Sequence, residues 1–146
     1  METKQKTRLR FLTAYYGVLQ SLHLLTLAYA GLQILQGDPA PFPILPPHIG
    51  WTDQTMAFLY GLAGTDVVGI LLGIFFATRA ILKKDYKPRL GILSLTIFIT
   101  GAIVFGAGTL PSGAWAAHPV AYWAMVVLFL PSVVLYYLLL KNQSIL

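Results

Sequence analysis

Asp66 and His23 are the two residues whose chemistry fits their surroundings least. Asp66 stands in Gly61-Leu62-Ala63-Gly64-Thr65-Asp66-Val67-Val68-Gly69-Ile70-Leu71-Leu72-Gly73, and His23 in Leu19-Gln20-Ser21-Leu22-His23-Leu24-Leu25. Both runs are apolar enough to lie in a lipid bilayer. An ionised carboxylate at mid-bilayer costs at least about 2.5–3.5 kcal/mol on insertion scales. A carboxyl there must be protonated, paired or facing water, and a nearby imidazole can share a proton or a water with it. Counting along the two runs puts both residues near mid-span. They are therefore expected to face each other across adjacent helices, as a proton-handling or ligand-orienting site. The alternative is that Asp66 hydrogen-bonds a Thr, Tyr or Gln and simply locks the helices together.

Thr13, Tyr16, Gln20 and His23 follow i, i+3, i+7, i+10. At about 100° per residue they fall within an arc of roughly 80°, so one face of this helix is polar over half its length. Tyr16 and Gln20 thus join Asp66 and His23 as candidate ligand-binding residues. Tyr60 and Thr65 are expected either to line the outer half of a cavity, as further ligand-binding candidates, or to serve in packing.

Small residues mark where helices approach one another in lipid. Asp66, Gly69, Gly73 and Ala77 form one stripe, and Gly69 and Gly73 make a small-xxx-small pair. Ser94, Gly101 and Gly108 recur every seven residues as a second seam, with Gly106 beside it. Gly17 and Gly31 are expected to allow close approach on the first helix. Pro131 lies deep in the last apolar run, where it leaves the Val127 carbonyl without its usual donor and predicts a kink.

Other chemistries find less support. The chain has no cysteine, which excludes thiol redox chemistry and Cys-ligated zinc or iron–sulfur clusters. Haem with two axial histidines would need a second membrane histidine, and His48 and His118 fall in loops. His48, His118 and Asp53 could in principle meet at a metal, but their spacing does not diagnose one, so no metal site is assigned. There is no phosphate-binding loop and no nucleophile–histidine–acid constellation with local motif support. The residues name no cofactor.

The elements that must position these groups follow from composition. The chain is 146 residues long, 57% hydrophobic and 10% charged, against about 25% charged in an ordinary soluble domain. Its mean hydropathy is +0.71. A disordered chain, a collagen-like fibre and a water-soluble enzyme are disfavoured. Four apolar runs reach the ~20 residues needed to cross about 30 Å of hydrocarbon, at roughly 11–35, 56–78, 90–110 and 120–140. Each must be an α-helix to satisfy its own backbone in lipid.

Lys4, Lys6, Arg8 and Arg10 precede the first run, Arg79, Lys83, Lys84, Lys87 and Arg89 lie between the second and third, and Lys141 follows the fourth. All ten basic residues would then share one side, which the positive-inside rule makes cytoplasmic. Both termini are expected inside a cell (inner) membrane. The net charge of +5 reads as this topology signal together with an affinity for anionic head groups, not as nucleic-acid binding. Trp51, Trp115 and Trp123 fall toward the outer interface, and Tyr15, Tyr16, Tyr136 and Tyr137 toward the inner one.

The loop Gly37–His48 holds five prolines within nine residues, which block helix and favour extended geometry. Phe42, Ile44 and Leu45 suggest that it lies over the mouth of the bundle. The stretch from Leu110 to Trp115 reads as a turn. Ala28-Tyr29-Ala30 before Gly31 resembles a small-x-small cleavage site, but Gln20, Ser21 and His23 in the apolar core, and the full-span length, favour an uncleaved helix. Short connections make consecutive helices antiparallel neighbours, giving an all-α, up-down-up-down four-helix bundle as one membrane domain.

The glycine-rich run from Gly61 to Gly73 with its single acid, followed by Arg79 and a third apolar helix, resembles the DoxX-like group of small four-helix membrane proteins. The resemblance covers about a third of the chain. It implies a compact four-helix bundle, with some members linked to quinone-connected redox or accessory roles, and it transfers no site residue. Three functions are then expected. The first is binding or moving an apolar or amphipathic small molecule (quinone, isoprenoid or lipid) at the Asp/His site. The second is an accessory role in a larger membrane complex, alongside other membrane subunits or as a homo-oligomer. The third is a membrane-embedded enzyme with Asp66 as general acid or base.

Overall fold

The computed structural model describes residues 3–37 and 45–142. Six helical elements account for the fold: α1 (Thr3–Leu35), α2 (Asp53–Leu82), α3 (Pro88–Thr109), a 3-10 turn (Leu110–Ser112), α4 (Ala114–Ala117) and α5 (Pro119–Asn142). No strand occurs among the described residues. Four of the helices are long and apolar enough to cross a membrane. Their outward surfaces are largely apolar: Leu25 is 66% exposed, Val127 63% and Ile103 66%. Such surfaces fit hydrocarbon rather than water.

Local chemistry sets the helix ends. The Thr52 side chain accepts from the Thr55 N–H at 3.2 Å and caps α2, with Asp53 in its first turn, where the helix dipole favours an acid. At its far end Arg79 lies in the last turn, and its carbonyl accepts from the Lys83 and Asp85 N–H groups. Lys84 turns the chain with a left-handed φ of 52°. Pro88 opens α3 where its missing N–H is not needed. Gly113, at φ 82°, separates the 3-10 turn from α4, a conformation that glycine adopts without strain.

Two differences from the sequence reading stand out. α1 begins at Thr3, eight residues before its apolar run, because Lys and Arg are good helix formers and carry the helix past the hydrocarbon. The Leu110–Trp115 turn is instead a 3-10 turn running into the one-turn helix α4. Pro131 lies inside α5, within the fourth apolar run where the sequence places it.

The long helices contact one another in a ring, α1 with α2, α2 with α3, α3 with α5 and α5 with α1, and the pairs that include α2 are the most extensive. Their register is set by small residues. A Cβ at Gly17 would stand 2.7 Å from the Ala77 Cβ, and one at Gly73 within 3.1 Å of Ser94, Gln20 and Tyr16. One at Gly69 would meet Ile97, one at Gly101 the Asp66 carboxylate, and one at Gly108 the Phe58 ring. Gly31 has nothing within 4 Å of such a position and Gly106 only Trp115 at 3.9 Å, so neither is a close-approach site. On the remaining side, Gln5 Nε2 donates to Asn142 Oδ1 at 2.9 Å and the Tyr15 hydroxyl to the Leu128 carbonyl at 2.6 Å.

The buried residues fall into two apolar clusters. One gathers Leu9, Leu12 and Tyr16 of α1, Phe76 and Ala80 of α2, Leu95 of α3, and Leu135 and Leu139 of α5. The other gathers Ala30, Leu59, Phe105, Ala114 and Tyr122. In every long helix the stretch between its two cluster positions carries the out-of-place residues: Gln20 and His23 in α1, Asp66, Gly69 and Gly73 in α2, Gly101 in α3, and Pro131 and Ser132 in α5. The bundle thus has two apolar cores with a polar, small-residue layer between them.

Part of the proline-rich loop, residues 38–44, lies outside the described residues, Phe42 and Ile44 included. Its end is docked: His118 Nε2 lies 3.0 Å from the Pro46 carbonyl, and the Tyr122 hydroxyl donates to the Leu45 carbonyl at 3.2 Å.

Candidate functional site

The middle layer is built on one short hydrogen-bond chain. Ser94 Oγ donates to the Gly69 carbonyl at 2.8 Å. Its single hydrogen is thereby used, so the Tyr16 hydroxyl, 2.7 Å away, is the donor of their mutual bond. The direction is Tyr16 to Ser94 to Gly69. All of it is shut off from the surroundings, with Tyr16 and Ser94 at 0% exposure.

Gln20 lies beside this chain, also at 0% exposure, its Cγ close to Gly73. Neither its Oε1 nor its Nε2 has a hydrogen-bond partner. Buried side-chain amides are normally satisfied, and leaving one bare costs on the order of 1–3 kcal/mol. Thr13, on the same face, bonds back to the Leu9 carbonyl at 2.8 Å and offers Gln20 no hydrogen. Ser132 Oγ on α5 is a further buried polar atom without a partner.

His23 meets an aromatic neighbour rather than an acid. Its ring stands edge-on to Phe98 at 6.3 Å between centroids. Phe98 in turn stacks on Phe129 of α5 at 4.6 Å and meets Tyr16 edge-on at 5.6 Å. Phe98 is the hub of the layer. Its apolar character hid it among many similar residues in the sequence, and only its three-residue spacing from Gly101 on the glycine seam could have marked it.

Asp66 is half-buried with its carboxylate against Gly101. No hydrogen bond or ion pair joins Asp66 and His23 among the described residues. Their contacts on α3, Phe98 and Gly101, are three residues apart, about 4.5 Å along the helix. The expected face-to-face pair is therefore corrected: the two residues occupy neighbouring levels of one layer. Nor is a hydrogen bond from Asp66 to a Thr, Tyr or Gln, as the locking alternative required, found among the described residues.

Tyr60 and Thr65 are not in this layer. Both are exposed on the outer surface of α2, and the Thr65 hydroxyl donates to the Leu62 carbonyl at 2.7 Å. Thr65 precedes Asp66 by one residue, which turns it about 100° away from α3. At Gly69, Gly73, Gly101 and Gly108 a Cβ would stand within 2.8 Å of a side chain of a neighbouring helix.

No family model, curated protein or solved structure matches the chain. The chemistry of the layer must therefore be read from its own geometry.

Elsewhere, Trp115 Nε1 donates to Thr109 Oγ1 at 3.0 Å, and the Trp115 ring packs on Tyr122 at 4.8 Å and Trp123 at 5.8 Å. Trp115 thus belongs partly to the second apolar cluster. A shallow groove of about 340 Å³ is lined by Pro47, His48, Ile49, Gly113, Ala116 and Ala117. The His48 and His118 rings lie beside it, 5.7 Å apart. Among the described residues no group of three or more His, Asp or Glu side chains is placed to hold a metal ion.

In the last turn of α2, Arg79 donates through Nε to Asp85 Oδ2 at 3.1 Å and also pairs with it through Nη2. Lys87 Nζ lies 3.4 Å from the other carboxylate oxygen. The Arg79 hydrogen bond, aided by Lys87, holds the Asp85 carboxyl below its ordinary value of 3.8. This ion pair pins the 83–87 turn.

Proposed function

We propose that the chain is a multi-pass membrane protein of up-down-up-down topology that holds or passes an apolar or amphipathic small molecule at the polar layer between its two apolar cores. The topology rests on the contact register. Along α1 and α2 the pairs are Gly17 with Ala77 and Gln20 with Gly73, and along α2 and α3 they are Ser94 with Gly69 and Asp66 with Gly101. Residue numbers rise on one helix as they fall on the next. Gln5 with Asn142 and Tyr15 with Leu128 give the same sense for α1 and α5. With that topology all ten basic residues share one side, which the positive-inside rule makes cytoplasmic.

The observation that carries the functional reading is Gln20, a wholly buried carboxamide with both polar atoms unpartnered. Pockets for apolar ligands are mostly apolar with a few polar groups that fix orientation. Gln20, His23 and Asp66, set among Phe98, Phe129 and the glycines, have that composition.

The test is native mass spectrometry of the protein extracted gently from its own membranes. A retained small-molecule mass, lost in Gln20→Leu at unchanged helicity, supports the reading. Absence of any such mass in the unaltered protein overturns it.

One observation favours a second reading, an accessory subunit. Ala57, Gly61 and Gly64 are exposed on α2, and both glycines have open space where a Cβ would stand. Small residues facing lipid allow another helix to come close. A stable mass with other subunits in the same experiment supports that reading.

A further inference from the structure

We infer that a divalent transition-metal ion of the kind that neutral imidazole prefers, such as zinc or copper, binds between His48 and His118. The site stands apart from the polar layer and does not depend on how that layer is read.

Lone pairs carry the argument. His118 Nε2 lies 3.0 Å from the Pro46 carbonyl oxygen. A carbonyl has no hydrogen to give, so Nε2–H is the donor and the neutral ring keeps its lone pair on Nδ1. A histidine that ligates a metal almost always spends its other N–H in this way, on a carbonyl or a carboxylate, which fixes the tautomer and the ring orientation. The neighbour of this ring is His48, with 5.7 Å between centroids and 63° between planes. Metal–nitrogen bonds of about 2.0–2.1 Å set the centroids of two imidazoles on one ion roughly 5–6.5 Å apart, from tetrahedral to linear arrangements. The separation of His48 from His118 falls in that range. His48 is exposed, and among the described residues neither of its ring nitrogens has a hydrogen-bond partner. Its ring is free to turn one of them toward the His118 lone pair.

The surroundings select the kind of ion. The connections 45–52 and 110–118 contain no Lys or Arg, so no fixed positive charge within them opposes a cation. Hard cations such as Mg²⁺ favour oxygen ligands, whereas imidazole suits zinc and copper. The shallow groove formed by Pro47, His48, Ile49, Gly113, Ala116 and Ala117 adjoins the pair and gives water access to the coordination positions that two histidines leave. His48 stands in the connection that enters α2, and His118 directly before α5. A bound ion therefore ties these two connections together, adding to the contacts that His118 and Tyr122 make with the Pro46 and Leu45 carbonyls.

The experiment is calorimetric titration of the untagged full chain in phosphatidylcholine nanodiscs with Zn²⁺, with Mg²⁺ and empty nanodiscs as controls. One Zn²⁺ per chain is expected to bind, and Mg²⁺ is not. His48→Ala is expected to weaken Zn²⁺ binding by about tenfold or more, the least that even an outer-shell partner of a metal ligand commands. His118→Gln, which keeps a donor for the Pro46 carbonyl, is expected to do the same. Cu²⁺ bound to the unaltered chain is expected to show two imidazole nitrogens by electron paramagnetic resonance, and a single one overturns the pair. No Zn²⁺ uptake below about 0.1 mM, equal uptake of Mg²⁺, or Zn²⁺ binding unchanged in His48→Ala also overturns the inference. If His118→Gln does not fold, His48→Ala decides alone, because that exposed side chain holds no hydrogen bond among the described residues.

Discussion

The carboxylate of Asp66 rests against the α-carbon of Gly101 on the facing helix, so close that a methyl group at residue 101 would stand 2.7 Å from Oδ1. An acid and a glycine thus form one packing unit between α2 and α3. Gly101→Ala must push either the carboxylate or the helix aside, and overpacking of this kind costs about 1–3 kcal/mol. Asp66→Ala removes the obstacle. The double variant is expected to be more stable than the sum of the single effects implies, with the coupling read from a thermal or steric-trapping unfolding cycle. Strict additivity would show that the two residues do not share this space.

The Tyr16–Ser94–Gly69 chain makes a second test. Ser94→Ala leaves the buried Tyr16 hydroxyl without an acceptor and is expected to destabilise by about 1–2 kcal/mol. In a Tyr16→Phe background the same change loses less, because no hydroxyl is stranded. Thermal melts of the four proteins in detergent check this, and an undiminished loss in the Phe background would contradict the hydrogen bond between the two hydroxyls.

Two glycines on α1 should behave in opposite ways. A Cβ at Gly17 meets Ala77 at 2.7 Å, whereas Gly31 faces open space. Gly17→Ala is expected to loosen α1 from α2 and lower the melting temperature. Gly31→Ala is expected to be neutral or to stabilise by up to about 1 kcal/mol through the lower entropy of the unfolded chain. Equal losses at both positions would refute the register.

Asp85 supplies a pH dependence. Its carboxyl is held below the ordinary value by Arg79 and Lys87, so the folded state favours the ionised form. The stabilisation is present above the unfolded value of 3.8 and is lost as pH falls through the lowered folded value. Asp85→Asn should therefore flatten the acid limb of the melting temperature against pH, and added salt should weaken the difference. Identical acid limbs in both proteins would show that the ion pair does not contribute.

The absence of cysteine makes the topology directly testable. Gln54 and Lys84 are exposed at opposite ends of α2. With Gln54→Cys, an impermeant maleimide is expected to label intact cells. With Lys84→Cys, labelling is expected only after permeabilisation. The reverse pattern would invert the orientation.

The four long helices were legible because hydropathy and length alone decide what spans hydrocarbon. Their ends were less so, since the reagents of an apolar pattern do not see Lys4 to Arg10 continuing the first helix. The one turn of Ala114–Ala117 is too short for any periodicity to show. At the site, the polar face of α1 could be read from the spacing of Tyr16, Gln20 and His23. What opposes that face could not, because register depends on which small residue receives which large one. Gly73 receives Gln20 and Tyr16, and this sets His23 against Phe98, one turn from the level of Asp66. Thr65 was misplaced by its closeness to Asp66 in sequence, which on a helix means a different face.

Pro131 leaves α5 one rung short, and a rod with a missing rung has a soft point. The hydroxyl of Tyr15 grips the Leu128 carbonyl, one residue past the carbonyl that the proline strands. The Tyr15 side chain thus ties the soft point to α1. Phe129 lies within the same turn, stacked on Phe98. Flexing of α5 there would shift Phe129 on Phe98, the ring that His23 also meets. The half of α5 that begins at Pro119 is in that sense a lever, with Tyr15 as its fulcrum and the polar layer as its load.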